Sequence, residues 1–340
     1  MKIDIRSLSE DELCEFFVKK GFDSYRGKQV YEWIWKKSSY TFDNMTNISK
    51  DFRLMLDENF VINHIEVDKI QKSSDGTIKN AVKLFDDYTV ESVLIPTDDR
   101  TTACVSSQVG CSLDCKFCAT SKLKRMRNLN PDEIYDQVVT INNQSLQYFN
   151  RPLSNIVFMG MGEPFLNYQK VVEAAKIMNE KMNLGSRRIT ISTAGIVSKI
   201  YQMADDKLPF KLAVSLNAPN DEIRKVIMPL TITNPINELL KAAEYYYNKL
   251  RRFITFEYVL LENVNSDEKC ARQLIHLLKN IPCKVNLIPY NEIESEYKRP
   301  SNIAINNFER ILKEAPFTTT VRWSKGTNID AGCGQLAVRV

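Results

Sequence analysis

The stretch "TTACVSSQVGCSLDCKFCATSK", residues 101–122, begins as a β-like run and ends with three cysteines in eight residues: Cys111, Cys115 and Cys118. A strand that delivers a cluster of thiols to its C-terminal end poses two questions. One is what sheet the strand belongs to, and the other is what the thiols hold.

The first question is answered downstream. Six more β-rich runs follow: "SNIVFMGMG" (154–162), "RRITISTAG" (187–195), "KLAVSLNAP" (211–219), "FITFEYVLL" (253–261), "CKVNLIPYN" (283–291) and "TTTVRWSKG" (318–326). Stretches of helical period lie between most of them, among them "PDEIYDQVVTINNQSL", "YQKVVEAAKIMNEKM" and "NPINELLKAAEYYYNKL". Such alternation gives a parallel sheet covered by helices. Six or seven units predict an α/β fold of the partial (β/α) barrel kind rather than a short open sheet. Active sites of such barrels lie at the C-terminal strand ends. The chemically interesting residues fall there: Cys111 after the first strand, Gly162 and Glu163 after the second, Ser192 in the third, Ser215 and Asn217 ending the fourth, and Asn291 ending the sixth.

Upstream, the pattern differs. "SEDELCEFFVKKG" has helical apolar spacing, an acidic first turn and a terminating glycine. "SYRGKQVYEWIWKKS" and "NISKDFRLMLDENF" predict two further helices, and residues 65–96 alternate around the turn "SSDGT" as antiparallel strands. We therefore expect an N-terminal helical accessory module with a β linker over residues 1–90, and the catalytic barrel over 91–340.

Bulk properties bound the class. The chain has 340 residues, 44% of them hydrophobic and 26% charged, with a net charge of +4. Mean hydropathy is −0.30, and no apolar run is long enough to span a bilayer. The opening "MKIDIRSLSEDELCEFF" lacks a secretory signal pattern, so a cytoplasmic monomer with no membrane partner is expected. Of the eight cysteines, Cys14, Cys270 and Cys283 sit in apolar or helical contexts and read as small buried hydrophobes.

The second question concerns the triplet. A closed zinc site needs four ligands, and the chain has only two histidines, His64 and His276, neither in a ligand motif. A redox C-x-x-C would use Cys115 and Cys118 and leave Cys111 unexplained. A four-iron cluster held by three thiolates uses all three and leaves one iron open to a cofactor.

This spacing resembles the radical S-adenosylmethionine (SAM) superfamily, in which the open iron binds SAM and its reductive cleavage yields a 5′-deoxyadenosyl radical. "MGMGEP" resembles that superfamily's glycine–glutamate segment, so the resemblance implies that Gly162 and Glu163 meet the SAM amino group. It likewise implies SAM contacts at Ser192, at Ser215, Leu216 and Asn217 of "VSLNAP", and at Asn291 of "IPYN". Taken singly, these small polar residues read equally well as caps or turns.

The resemblance narrows further. "CVSSQVGCSLDCKFCATS", "FMGMGEPFLNY", "RRITISTAGI", "SLNAPNDEIRKVIMPL", "FEYVLLENVN", "NLIPYN" and "NIDAGCGQL" are similar, in order, to the RlmN/Cfr family of radical SAM RNA methyltransferases. The family's chemistry answers a difficulty, since C2 of adenine is not a nucleophile. The resemblance implies that Cys333 takes a methyl from one SAM. A second SAM, cleaved at the [4Fe-4S] cluster, then supplies the radical that activates it. Cys104 then attacks the Cys333 sulfur, forming a disulfide and releasing methylated RNA. Glu91, which alone reads as a solvated strand residue, is implied as the acceptor of the C2 proton. The implied partners are 23S rRNA, tRNA and an external electron donor. "GEPFLN" and "NLIPYN" look more like the C2-methylating branch than the Cfr-type branch that methylates C8. A more distant alternative is a non-enzymatic iron–sulfur RNA-binding sensor. The glycines flanking Cys333 read as flexibility for a residue that visits two partners. Basic residues Lys122, Lys124, Arg125 and Arg127, and the pairs Arg187–Arg188, Arg251–Arg252 and Lys298–Arg299, are candidate phosphate grips.

Overall fold

In the computed structural model, which describes residues 2–338, β1 (Ile3–Asp4) precedes three helices: α1 (Glu10–Lys19), α2 (Tyr25–Trp35) and α3 (Lys50–Asn59). Ser9 and Glu12 form a reciprocal capping box that starts α1. Strand β2 (Phe60–Val61) pairs with β1 and closes the module. An antiparallel meander follows: β3 (Glu66–Lys72), β4 (Ile78–Lys83) and β5 (Thr89–Pro96).

The barrel begins at β6 (Thr101–Cys104). The cysteine-bearing loop is framed by the short antiparallel pair β7 (Gln108–Val109) and β8 (Arg127–Asn128). Then come α4 (Pro131–Phe149), β9 (Asn155–Phe158), α5 (Tyr168–Lys181), β10 (Ile189–Thr193), α6 (Val197–Asp205), β11 (Lys211–Ser215), α7 (Asp221–Ile227) and α8 (Ile236–Leu250). The chain continues through β12 (Ile254–Leu260), α9 (Glu268–Leu278), β13 (Cys283–Pro289), α10 (Asn302–Leu312) and β14 (Thr318–Val321).

Among the described residues, one ten-stranded sheet runs β14-β13-β12-β11-β10-β9-β6-β5-β4-β3. From β6 to β14 all neighbours are parallel. Edge strands β14 and β3 do not pair, so the barrel is partial, as expected. The meander is not a detached linker. Strand β5 pairs with β4 on one side and β6 on the other, so residue 90 lies inside a strand of the main sheet.

One face of each parallel strand except the edge strand β14 is buried under helices, by residues such as Ala103, Ile156, Ile191, Leu212, Phe256 and Val285. The same core extends into the N-terminal module through Phe17, Trp35 and Phe60. Arg6 locks the module to α4. Its guanidinium lies 2.7 Å from Asp136 and 3.2 Å from Asp132, all three being buried. Trp35 meets Tyr135 edge-on, and the Tyr135 hydroxyl donates to the Trp35 carbonyl at 2.6 Å.

Candidate active site

The loop after β6 bends back on itself. The Cys118 amide donates to the Cys115 carbonyl at 3.2 Å, and the Ser121 hydroxyl donates to both carbonyls at 2.7 Å. All three thiols thereby line one cavity at the C-terminal ends of the strands. Among the described residues, no three His, Cys, Asp or Glu side chains converge on a point that one metal ion would occupy. Thiols spread round a cavity suit a multi-iron cluster, in which each binds a different iron. Burial pushes the Cys111 thiol up to about 11 and raises Cys115 and Cys118 as well. Such buried thiols become thiolates when a bound cation compensates them.

Gly162, Glu163, Ser192, Ser215 and Asn217 line the same cavity. Gly162 has φ +96, and a Cβ there would come within 2.5 Å of Gln108, so the turn requires glycine. The Glu163 carboxylate accepts from the Phe165 amide at 2.9 Å, the Thr193 hydroxyl at 2.6 Å and the Ala194 amide at 2.7 Å. These bonds leave about one acceptor site for a cofactor ammonium. Burial raises its pKa and the three donors oppose that. Asn217 sits at φ 57 in the cavity wall, with its amide oxygen accepting from Val259 N–H at 2.8 Å and its Nδ2 donating to the Met228 sulfur at 3.3 Å. Leu216 is different: its side chain is fully buried in the core, and only its backbone stands near the site. Asn291 does not line the cavity. Its amide donates to the Cys333 carbonyl at 2.9 Å and to Ser324 Oγ at 2.8 Å, while its own Oδ1 is buried without a partner.

Cys333 lines the same cavity, on a C-terminal segment that is hydrogen-bonded to the triplet's loop at Ala119 and Thr120 and to the meander at Asp75 and Glu91. Its flanking glycines serve close packing rather than freedom. A Cβ on Gly332 would sit 2.9 Å from the Asn291 side chain, and Gly334 (φ +84) passes its carbonyl to Ala119 N–H at 2.7 Å. Cys104 is 7% exposed and lies two residues beyond Thr102 on β6, hence on the same face of the strand, though it lines neither the triplet's cavity nor the one that Thr102 lines. Burial pushes Cys333 up to about 12 and Cys104 up to about 11, and the half-buried Arg322 guanidinium pulls both down. Each thiol also acts on Arg322, so Arg322, Cys104 and Cys333 form one electrostatic group.

Glu91 is not solvated. It is 1% exposed, ion-paired with Lys79 at 3.1 Å, and it accepts from the Ala337 and Val338 amides at 2.8 and 3.1 Å. An alternating strand pattern cannot reveal that the C-terminal segment covers this face. Arg127 is not a free phosphate grip either, since it bridges Asp86 and Glu133. Lys122 donates to the Glu294 carbonyl.

Three site residues escape the sequence reading. Arg224, fully buried, donates to the carbonyls of Ala194 (2.7 Å), Ser215 (3.1 Å) and Leu216 (3.0 Å), tying the ends of β10 and β11 together. Glu257 is buried with an unpartnered Oε1, 3.8 Å from Arg322. Arg322 also donates to the Met159 sulfur at 3.2 Å. For Glu257 the signal was available: "FEYVLL" places a charge inside an apolar strand, which is rare unless the charge is paired.

A partial parallel barrel with a C-x₃-C-x₂-C loop at its C-terminal end defines a radical SAM enzyme, and the Radical SAM superfamily model matches residues 105–278. The Ribosomal RNA large subunit methyltransferase N-terminal domain model matches residues 3–62. The chain is 56% identical over 339 residues to the probable dual-specificity RNA methyltransferase RlmN of Christiangramia forsetii, covering 99% of this chain and 96% of that protein. It is 40% identical to the Staphylococcus aureus protein of the same description, covering 99% and 93%. The crystal structure of a radical SAM methyltransferase from Sphaerobacter thermophilus superposes with a TM-score of 0.92 at 40% identity, covering 98% of this chain and 99% of that one. The chain belongs to the RlmN family of radical SAM RNA methyltransferases. Membership implies a [4Fe-4S] cluster and SAM, and the three-thiol cavity with its glycine–glutamate rim fits both. Among the described residues, no helix is long and apolar enough to cross a membrane.

Proposed function

We propose that the protein methylates C2 of an adenosine in the peptidyl transferase centre of 23S rRNA, and of an adenosine in tRNA anticodon loops, in the cytoplasm. One observation carries this reading. Cys333 stands on the wall of the triplet's cavity and shares Arg322 with Cys104. A simple SAM-dependent enzyme needs no such pair of outlying thiols.

When bound, the cluster and two SAM molecules per turnover supply the methyl group and its radical activation. Cys111, Cys115 and Cys118 would hold the cluster. Glu163, Ser192, Ser215, Asn217 and the backbone around Leu216 would orient SAM, and Asn291 positions the Cys333 segment. Cys333 acts as nucleophile toward a methyl group, with Arg322 favouring its thiolate. Glu91, which keeps about one acceptor site beyond its three partners, takes the C2 proton. Cys104 then attacks the Cys333 sulfur. The new S–S bond replaces the S–C bond to the RNA, and an external donor returns two electrons to restore both thiols. The N-terminal helices recognise RNA shape.

The test is mass spectrometry of rRNA and tRNA from cells lacking the gene. Loss of 2-methyladenosine is expected. Unchanged RNA would refute the reading, and loss of 8-methyladenosine instead would move it to C8. Cys104→Ala protein, purified from cells, should carry RNA covalently attached through Cys333.

A further inference from the structure

A buried carboxylate inside an apolar strand needs a reason, and Glu257 is one. It stands in the middle of β12 between Phe256 and Tyr258, both fully buried, and is itself 4% exposed. In register it lies beside Ser215 of β11 on one side and Asn286 of β13 on the other. Asn286 and Ser192 are its hydrogen-bonding neighbours. Its Oε1 is nevertheless buried without a partner, 3.8 Å from Arg322 Nη1. An acceptor left bare inside a fold is rare and marks a strained, wet or reactive site.

The surroundings favour the last. Among the described residues, the carboxylates lining the triplet's cavity are Glu163 and Glu257, and Cys333 lines it too. Glu163 already accepts three hydrogen bonds, whereas Glu257 keeps a free oxygen. Glu257, Arg322 and Cys333 also line a second cavity, whose polar wall runs past Thr255 and Asn286 to Lys211 at the exposed start of β11. Glu257 thus shares two cavity walls with Cys333 and has a polar path to solvent behind it.

A thiol that attacks a methyl group must shed its proton, and charge balance decides where. The groups acting on Cys333 are Arg322, Glu257, Cys104 and, least, Cys118. Those acting on Glu257 are Arg322 beyond β14, Asn286 on β13 and Ser192 on β10. Arg322 is the cation common to both sets. Loss of the Cys333 proton to water would add a second negative charge beside this one cation, which burial penalises. Transfer to Glu257 instead moves the negative charge from one neighbour of Arg322 to another and leaves the net charge unchanged. Burial raises the Glu257 carboxyl, with Arg322 opposing, and a less acidic carboxyl is a better proton acceptor.

We infer that Glu257 accepts the thiol proton of Cys333 as Cys333 takes its methyl group. The S–H bond breaks, and its electron pair forms the new S–CH3 bond. The bond from the methyl to the sulfonium of SAM breaks with its own pair, S-adenosylhomocysteine leaves, and the proton rests on Oε1. No oxidant or reductant enters. This rests on Cys333 being the methyl carrier, as proposed above.

The test uses anaerobic, iron-reconstituted holoenzyme, in which the triplet is occupied, without RNA or reductant. Two rates are read at Cys333 by peptide mass: methyl gain from saturating, methyl-deuterated SAM, and alkylation by iodoacetamide in the absence of SAM. Wild-type rates should be nearly level across neutral pH. Glu257→Gln should be roughly a hundredfold slower at about pH 7, the usual worth of a positioned base. It should regain roughly tenfold per pH unit as hydroxide takes over the task. Alkylation should show the same loss and the same slope. If Glu257→Gln does not fold, Glu257→Ala carries the same prediction and adds rescue by formate, a carboxylate small enough for the space left. Wild-type rates in the variant would overturn the inference. So would faster alkylation, since Glu257 would then act on the thiol only by repulsion, and so would a slowing that is equal at every pH or indifferent to formate. If wild-type Cys333 gains no methyl, the carrier reading falls instead, while the alkylation profile still reports on the proton transfer.

Discussion

Two segments bring cysteines to the upper cavity, and they are held in opposite ways. The loop with Cys111, Cys115 and Cys118 closes mainly on itself, through Cys115 and Cys118 carbonyls, Ser121 and the Leu123 carbonyl. The segment from Ser324 to Val338 also turns on itself, through Ala331 N–H to the Gly326 carbonyl (2.9 Å) and Gln335 N–H to the Gly332 carbonyl (3.0 Å), but it depends on distant elements as well. Its anchors are Lys325 to the Pro96 carbonyl (2.7 Å), Asp75 to Gly326 N–H (2.8 Å), Ser73 to Asn328 (2.6 Å), Thr120 to the Leu336 carbonyl (2.6 Å), and Glu91 to the amides of Ala337 and Val338. A metal site can be prefabricated by local turns. The placement of Cys333, in contrast, is a property of the whole fold, because the meander and the barrel must both be in place before the segment has anything to bind.

The sharpest way to separate the two is to break each. Cys115→Ala should reduce bound iron and RNA methylation to background after anaerobic reconstitution while leaving the thermal transition of the iron-free protein nearly unchanged. A large drop in that transition would show the loop to be structural. Glu91→Gln should instead lower stability and leave bound iron intact, with RNA methylation lost along with its proton acceptor. Removing the carboxylate strands the buried Lys79 ammonium and weakens two anchors of the Cys333 segment, at a cost of about 3 kcal/mol. Denaturant unfolding should show that loss with the reconstituted iron content intact. A variant as stable as wild type would mean that Glu91 does not anchor the segment.

Asn291→Ala should have a smaller effect. It removes the donor to the Cys333 carbonyl and to Ser324, worth about 1–2 kcal/mol. Iron content should hold, and Cys333 methylation by SAM should slow. An unchanged methylation rate would remove Asn291 from the positioning of Cys333.

The same contrast explains what could be read in the chain. The triplet, its loop and the seven parallel strands were legible because their signals are local: a spacing of three and two residues, and alternation of periods 2 and 3.6. Gly162 and Glu163 were legible as the turn that ends a strand. The roles of Glu91, Asn291 and Arg322 were not, for a different reason in each case. Glu91 lies on a strand whose pattern suggests solvent, and only a segment 246 residues away covers it. Asn291 reads as a cofactor contact by position, and what the chain alone does not reveal is that its Nδ2 holds the Cys333 carbonyl and Ser324 while its Oδ1 has no partner. Glu257 on β12 and Arg322, just past the end of β14, lie 3.8 Å apart with β13 between their strands, and no periodicity within either strand encodes that meeting. The glycines round Cys333 were read as freedom, whereas the packing of Asn291 against Gly332 makes them a condition of close approach.

The smallest expected effect is also the most specific to the segment. Asp75 sits in the β3–β4 turn and accepts from Gly326 N–H, shortly after β14. Partial burial pushes its carboxyl up, but hydrogen bonds from Gly326, Thr77 and Ser73 outweigh that and hold it at about 2, below the ordinary 3.8. Between those two values the unfolded chain binds more protons than the folded one, so stability from this anchor is fully present above about pH 4 and is lost as pH falls toward 2. Asp75→Asn keeps the shape and removes the titration. Thermal unfolding of wild type and variant should therefore differ above pH 4 and converge as the pH approaches 2. A difference that stays constant across that window would mean that the turn's geometry, and not its charge, fastens the segment.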